Sequence, residues 1–329
     1  MKKLNWGILS TAKIGREKVI PAMQKSKLCE VHAIASTNKE RLEAEAKRLG
    51  IPKTYDSYEA LLNDPEIEAV YIPLPNNLHV PWALKALEAN KHVLCEKPIA
   101  LSAAEATELL KASRKKPQVK IMEAFMYRFH PQWQKAKKLV DGGRVGELRC
   151  VQSFFSYFNI DPNNIRNRIE VGGGAMMDIG CYCVSFARYL FGKEPIRVFG
   201  TVEFDPVLKT DRFASGILEF DKGTSTFTCS TQLMPYQRVN ILGTEGRIEI
   251  EIPVNAPADK STKIWLHTKT DTEEIVFDLV DQYSMEADAF AESVLNNKDV
   301  PTPLEDAVNN MRVIEAVFQS SEIASWKKL

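Results

Sequence analysis

The sequence has no excess of either charge. Its 329 residues include 43 Lys and Arg against 43 Asp and Glu. Binding to nucleic acid or to an anionic membrane depends on a net basic surface, so this balance argues against both kinds of partner. Lys135, Lys137 and Lys138 form a local basic cluster, but they alternate with apolar residues as on a solvated helix face.

Long apolar runs and paired cysteines are also missing. No stretch of about 18 apolar residues occurs, and the N-terminal segment lacks the apolar core and cleavage site of a secretory signal. The six cysteines form no C-x-x-C pair of the kind that zinc sites use. We therefore expect a cytoplasmic protein with buried free thiols and no metal site.

The pattern of apolar residues differs between the two parts of the sequence. As far as about residue 122, short apolar runs alternate with amphipathic stretches, which predicts βαβ units around a parallel sheet. Beyond about residue 125, alternating β-branched and aromatic runs separated by turn residues predict a large, mostly antiparallel open sheet. The sequence predicts an α/β protein with a doubly wound Rossmann domain at 1–124 and an α+β domain at 125–329, which would bind the substrate and form oligomers.

A degenerate phosphate-binding turn follows the first apolar run, Trp6 to Leu9. Small residues replace the first two glycines of the G-x-G-x-x-G pattern there, but they still permit a tight turn close to a pyrophosphate. The third glycine would allow the helix to pack closely on the strand. An ordinary strand-to-helix turn remains the alternative. The candidate cofactor-binding residues in this turn are Ser10, Thr11, Ala12, Ile14 and Gly15.

The residues after the second strand bear on the choice of cofactor. An NAD enzyme usually places Asp or Glu there to bind the ribose 2′-hydroxyl, and no acidic residue stands at positions 36 to 38. The hydroxyls of Ser36 and Thr37, with Arg41 nearby, suit a 2′-phosphate better. NADP(H) is therefore favoured and NAD(H) possible. The alternative is that Lys39 and Arg41 merely face solvent.

Three motifs carry a resemblance to a known family. They are Cys95-Glu96-Lys97-Pro98, the run Gly172-Gly173-Gly174-Ala175-Met176-Met177-Asp178-Ile179-Gly180-Cys181-Tyr182, and Glu123 to Pro131. Their order and spacing resemble the Gfo/Idh/MocA oxidoreductases from about residue 4 to 325. Many members have His where Tyr182 stands. Tyr is typical of the branch with dimeric dihydrodiol dehydrogenase, glucose-fructose oxidoreductase and anhydrofructose reductase, whose members commonly prefer NADP.

The resemblance implies further features of the site and the assembly. Lys97–Pro98 is expected to be a cis peptide, and the C-terminal sheet is expected to form a homodimer or homotetramer. His79 has an alternative interpretation as a residue of a helix first turn, and Arg128 and Arg166 could equally lie on the surface. Further cofactor-binding candidates are Leu74, Pro75, Asn76, His79, Glu96 and Lys97, and substrate-binding candidates are Lys97, Arg128, Arg166, Asp178, Tyr182 and Tyr283.

A mechanism follows from the residue types. Hydride transfer to a carbonyl needs an acid near the oxygen and a positive group to stabilise negative charge, which Tyr182 and Lys97 can supply. A nearby ammonium would also lower the pKa of the phenol. Asp178 lies four residues before Tyr182 in a predicted helix and could bind a substrate hydroxyl. Alternatively, Asp178 caps that helix and Tyr182 is a core aromatic.

The sequence therefore predicts an NADP(H)-dependent oxidoreductase for a small sugar-like polyol, dihydrodiol or dicarbonyl. The alternative is a non-catalytic NAD(P)-binding regulator of the same fold.

Overall fold

The computed structural model describes residues 2–329, which group into two compact units. The first unit extends to Met126 and also includes Tyr283–Val308. The second comprises Tyr127–Gln282 and Asn309–Leu329.

Strands and helices alternate in the N-terminal half, and strands dominate the C-terminal half. In chain order, strands β1 to β15 are Leu4–Leu9, Cys29–Ala35, Lys53–Tyr55, Ala69–Ile72, His92–Glu96, Ile121–Ala124, Leu148–Phe158, Arg197–Phe204, Asp211–Phe220, Gly223–Ser230, Gln232–Gly243, Gly246–Ile250, Thr262–Thr268, Thr272–Phe277 and Lys327–Lys328. Helices α1 to α9 are Ile20–Lys25, Lys39–Leu49, Tyr58–Leu62, His79–Glu88, Ala103–Ser113, Pro131–Asp141, Cys181–Phe191, Gln282–Leu295 and Leu304–Ile323. Wider π-helical segments at Gly15–Val19 and Met176–Gly180 lead directly into α1 and α7.

The first unit contains a six-stranded parallel sheet in the order β3-β2-β1-β4-β5-β6. Its central strands are almost fully buried because helices cover both faces of such a sheet, which explains their continuous apolar runs. The strand order reverses between β1 and β4. In open α/β sheets, ligands bind in the crevice beyond the carboxyl ends of the strands at this reversal.

The second unit contains a nine-stranded sheet in the order β14-β13-β12-β11-β7-β10-β9-β8-β15. All neighbours are antiparallel except β7 and β10. Buried and half-buried residues alternate along most of β9, as expected when one face of the sheet packs on helices. Trp133 of α6 stacks on Phe186 of α7, with ring centroids 4.5 Å apart, within this layer. The predicted fold class is confirmed.

The C-terminal domain was expected to run without interruption from 125 to 329, but Tyr283–Val308 group with the first unit. The reason is packing against the start of the parallel sheet. Phe290 of α8 lies 5.4 Å from Trp6 of β1, measured between ring centroids, and Asp288 accepts a hydrogen bond from Ser26. An amphipathic helix does not reveal in its sequence which sheet it will cover.

Two expectations about composition can be compared with the structure. All six cysteines are free, and every one except the half-buried Cys150 is buried, as predicted. Within residues 2–329, no helix combines the length and the apolar character needed to cross a bilayer.

Candidate active site

The cofactor-binding candidates follow the carboxyl ends of four parallel strands of the first unit. The turn at Ser10 follows β1, Ser36 follows β2, Leu74 follows β4, and Glu96 ends β5 immediately before Lys97. Parallel strands bring their carboxyl ends to one edge of the sheet. The structure thus places these candidates along the edge where a dinucleotide fold binds its ligand.

The phosphate-binding turn contains an unusual backbone conformation. Ser10 has φ of 124°, a region that residues other than glycine rarely adopt. Its Oγ accepts a hydrogen bond from the Ala12 N–H at 3.1 Å and lies 3.4 Å from the carbonyl oxygen of Pro73. Helical structure begins three residues later, so Thr11 and Ala12 lie between the strand and the helix N-terminus. The chain therefore turns tightly between the strand and the helix although two glycines of the pattern are replaced.

Gly15, which was expected to allow close packing of the helix on the strand, leaves room for a Cβ atom. A Cβ atom at this position would lie 3.6 Å from Cγ of Pro73 and 3.7 Å from the Tyr71 ring, which is ordinary van der Waals contact. Close packing of the helix on the strand therefore does not demand glycine here. Gly7 is the tighter position, since its Cβ would lie 2.5 Å from Cδ2 of Leu61.

The segment after β2 brings two cofactor-binding candidates together. The buried hydroxyls of Thr11 and Ser36 lie 3.4 Å apart, linking the ends of β1 and β2. Thr37 and Arg41 are exposed, and Asn38 caps α2 by accepting a hydrogen bond from the Arg41 N–H. The residues present therefore fit a dinucleotide, with an exposed guanidinium and no carboxylate at positions 36 to 38.

His79 links the segments that follow β4 and β5. Its Nδ1 lies 2.7 Å from the carbonyl oxygen of Pro98 and its Nε2 2.8 Å from that of Leu74. Burial lowers the pKa of His79 to about 4, so the ring is neutral at pH 7 and its single N–H donates to one of these carbonyls. His79 is also the first residue of α4, which agrees with its alternative interpretation.

Lys97 lies between two tightly held neighbours. The Lys97–Pro98 peptide is cis, as the resemblance implied. The preceding residue, Glu96, accepts a hydrogen bond of 2.6 Å from the Tyr71 hydroxyl. Burial, reinforced by the Glu96 charge, raises the pKa of Tyr71, so the phenol remains a donor. Tyr71 was not among the sequence candidates, because an aromatic residue in a buried strand has no local mark of a site.

The glycine run at Gly172–Gly174 packs closely against other residues of the second unit. Gly172 and Gly174 have φ of 81° and 122°. A Cβ at Gly173 would lie 2.5 Å from the carbonyl oxygen of Arg166, and a Cβ at Gly174 would lie 1.8 Å from Oδ1 of Asp211. No other residue type fits in these two places, and the backbone is fixed where it leads into Met176–Gly180.

Asp178 lies at the centre of a polar cluster. Its Oδ2 accepts a hydrogen bond of 2.6 Å from the Tyr157 hydroxyl and one of 3.0 Å from Nε of Arg166. Burial and the charge of Asp178 raise the pKa of Tyr157, which keeps that phenol protonated. The candidates Asp178 and Arg166 are therefore together, and Tyr157 is a partner that the sequence did not single out.

Tyr182 lies in α7, in the first turn after the π-helical segment that carries Asp178. It is 4% exposed and packs edge-on to Tyr127 and Phe155, with ring centroids 6.0 and 6.2 Å away. Arg128 donates to Ser185 Oγ of the same helix at 2.8 Å. Tyr283, another substrate-binding candidate, belongs to the first unit.

Comparison with known proteins decides the family. Residues 4–125 match the model described as "Oxidoreductase family, NAD-binding Rossmann fold", and residues 133–249 match the "GFO/IDH/MocA C-terminal domain". The chain belongs to the Gfo/Idh/MocA family.

Individual relatives agree with this assignment. The chain is 40% identical over 326 residues to D-xylose 1-dehydrogenase (NADP(+)) 2 of Haloferax volcanii, covering 98% of this chain and 99% of the relative. It is 33% identical over 261 residues to trans-1,2-dihydrobenzene-1,2-diol dehydrogenase of Xenopus tropicalis, covering 77% and 76%. A crystal structure of a 3-ketoreductase from Actinomadura kijaniata with NADP and TDP-benzene superposes with a TM-score of 0.91, at 28% identity over 97% of this chain and 98% of that chain.

These relatives are dehydrogenases and reductases, so the chain is an NAD(P)-dependent sugar or polyol oxidoreductase of this family. The predicted family and enzyme class are confirmed. None of these three relatives is named as a regulator, so the alternative of a non-catalytic protein gains no support from them.

Proposed function

We propose that this oxidoreductase uses NADP(H) and acts on a sugar-like polyol, dihydrodiol or dicarbonyl, with Tyr182 as the acid/base and Lys97 polarising the substrate oxygen. The observation that carries the proposal is the fixed carboxyl group of Asp178, held by Tyr157 and Arg166 on the helical segment that leads to Tyr182. The carboxyl group of Asp178 and the phenol of Tyr182 could each bind one of two neighbouring oxygen atoms of a substrate.

The proposed roles follow from the chemistry of hydride transfer. When bound, the nicotinamide exchanges a hydride with the substrate carbon. In oxidation Tyr182 accepts the hydroxyl proton as the C–H bond breaks, and in reduction it returns a proton to the oxygen. The Lys97 ammonium stabilises negative charge on that oxygen and favours the phenolate form of Tyr182. Asp178 accepts a hydrogen bond from a second substrate hydroxyl.

Two features support NADP(H) as the cofactor. The end of β2 presents Ser36 and Thr37 in place of the carboxylate that would bind a ribose hydroxyl and repel a phosphate. Arg41 is exposed in the first turn of α2, where its side chain can reach solvent and a bound phosphate. The name of the xylose dehydrogenase relative gives NADP(+) as its cofactor, and the structure of the ketoreductase contains NADP.

Steady-state kinetics with xylose, other aldoses and a trans-diol test the catalytic roles. We expect Tyr182→Phe and Lys97→Met each to lower kcat by about 100-fold or more, because each removes a group that acts on the reacting oxygen. Tyr189→Phe is the matched control, since it removes a hydroxyl from the same helix and should leave kcat unchanged. A Tyr182→Phe enzyme with wild-type kcat would exclude the acid/base role.

Nicotinamide fluorescence tests the cofactor choice. Arg41→Ala should weaken NADPH binding by about tenfold and leave NADH binding unchanged, since a charge-assisted bond to phosphate contributes about 1.5–3 kcal/mol. Arg48→Ala is the matched control on the same helix, where Arg48 pairs with Glu45 at 2.7 Å. Tighter binding of NADH than of NADPH to the wild type would contradict the proposal.

We also propose that the chain forms a homodimer or homotetramer through the C-terminal sheet. Phe154 and Tyr236 of neighbouring strands bring their rings to 5.5 Å on the less covered face, and nearby Met234 is 84% exposed. Apolar side chains gathered on one sheet face are typical of a protein interface. Sedimentation equilibrium would distinguish monomer, dimer and tetramer.

A further inference from the structure

The helical segment that carries Asp178 begins against a buried carboxyl group from another strand. Asp211, the first residue of β9, is 3% exposed, and its Oδ2 accepts a hydrogen bond of 2.6 Å from the Met176 N–H. The Ala175 N–H is a second backbone donor to this carboxyl group. Amides in the first turn of a helix have no partner within the helix, so Asp211 supplies the acceptors that they need.

Packing leaves this segment little room to move. Glycine is the only residue type that fits at position 174, because a Cβ atom there would lie 1.8 Å from Oδ1 of Asp211. Further along, a Cβ at Gly180 would lie 2.7 Å from Sδ of Met176 and 2.9 Å from Sγ of Cys229 on β10. The start of the segment is thus held by Asp211 and its end by the neighbouring strand.

The surroundings of Asp211 set its charge. Burial, with a smaller contribution from the nearby Asp178 charge, raises the pKa of Asp211 to about 7, against the opposing effect of the backbone donors. Tyr157 on β7 and Cys229 on β10 also interact with Asp211, and Arg166 pairs with Asp178. Asp211 therefore changes charge in the neutral range, and protonation converts one acceptor oxygen into a hydroxyl.

We propose that Asp211 is a positioning residue for hydride transfer, because its carboxylate fixes the backbone at Ala175 and Met176 and through it the placement of Asp178 and Tyr182. The inference rests on the proposed function, since Asp211 acts through those two groups. Protonation weakens its hold on the amides, so kcat falls at acidic pH while the cofactor-binding turn in the first unit is unaffected.

The test compares Asp211→Asn with Asp205→Asn over about pH 5.5 to 9. Asp205 is the matched control, because it is also buried and accepts two backbone hydrogen bonds of 2.8 Å, from Val207 and Leu208 in the turn before β9. At pH 8 we expect Asp211→Asn to lower kcat by about tenfold to 100-fold, with KM changed by less than about threefold, as for a small misplacement of reacting groups. The acid limb of the wild-type kcat profile, near pH 7, should vanish in Asp211→Asn and persist in Asp205→Asn.

Hydrogen exchange gives a readout that does not depend on turnover. Amides 175 and 176 should exchange faster in Asp211→Asn and, after correction for intrinsic rates, faster in the wild type below pH 7. A folded Asp211→Asn enzyme with wild-type kcat or an unchanged acid limb would overturn the proposal. If that variant does not fold, the wild type decides, and the absence of either the acid limb or the faster exchange overturns it.

Failure of the proposed function would look different. A wild type that turns over no sugar or diol, yet shows the expected exchange at 175 and 176, would refute the proposed function and the catalytic consequence of Asp211. Its hold on the helix start would then stand as a structural feature alone.

Discussion

Ser10 in the first unit and Gly174 in the second have nearly the same backbone angle for different reasons. Their φ values are 124° and 122°. Ser10 keeps a side chain in this unfavourable region because its Oγ accepts a hydrogen bond from the Ala12 N–H. Gly174 cannot carry one, because Oδ1 of Asp211 fills the space. A left-handed backbone is thus tolerated where a side chain finds partners, and it demands glycine where a neighbour has taken the room.

The largest effect should come from Gly174→Ala. The new methyl group would collide with Oδ1 of Asp211, and alanine is also strained at the positive φ of this position. We therefore expect a loss of more than about 3 kcal/mol in the free energy of unfolding. Gly192→Ala, at the other end of α7, is the matched control. Its φ is 62° and nothing lies within 4 Å of the added Cβ, so it should cost only about 1 kcal/mol. Urea unfolding at one pH measures both, and equal losses would mean that the collision is relieved.

A smaller effect should appear in the pH dependence of stability. The folded-state pKa of Asp211 is raised from 3.8 to about 7, so the folded chain holds a proton that the unfolded chain releases between these values. Stability from this group is therefore present at acidic pH and lost as pH rises toward 7. Relative to Asp211→Asn, the wild type should lose about 2 kcal/mol between about pH 5.5 and 7.5. Parallel unfolding curves for the two proteins would show that Asp211 titrates normally.

The comparison also shows what could be predicted from the sequence. Both sheets were predicted from the spacing of apolar residues. Strands that are buried on both faces have continuous apolar runs, and strands that are buried on one face alternate apolar with polar residues. β7, Leu148–Phe158, is one of the alternating runs on which the prediction of the second sheet depends. β3, Lys53–Tyr55, has no such pattern, since three residues at a sheet edge are too few to show a period.

The site was predictable only where its residues are close in sequence. The degenerate turn at Ser10 and the glycine run are local patterns that reflect backbone geometry. Asp211 lies 35 residues from its donor Met176, and Tyr157 lies 21 residues from Asp178. A single residue in a strand has no local mark of a partner so far away in sequence, so only the packing of the Met176–Gly180 segment on the sheet brings these groups together. The same reason explains why the sequence placed the helix at Gln282–Leu295 in the C-terminal domain, whereas its residues from Tyr283 onward group with the first unit.

The smallest effects should come from Ser10 itself, where two substitutions separate the hydrogen bond from the backbone strain. Ser10→Ala loses the bond to the Ala12 N–H but keeps a Cβ at positive φ, so we expect a loss of about 1 kcal/mol in unfolding free energy. Ser10→Gly loses the same bond but relieves the strain, so it should differ from the wild type by less than about 0.5 kcal/mol. It also restores the first glycine of the G-x-G-x-x-G pattern, and NADPH affinity should remain within about threefold of the wild type. If instead both variants weaken NADPH binding equally while unfolding as the wild type does, the hydroxyl contacts the cofactor directly. The role of Ser10 would then be to bind the cofactor, and Ser10 and Gly174 would share only their φ angle.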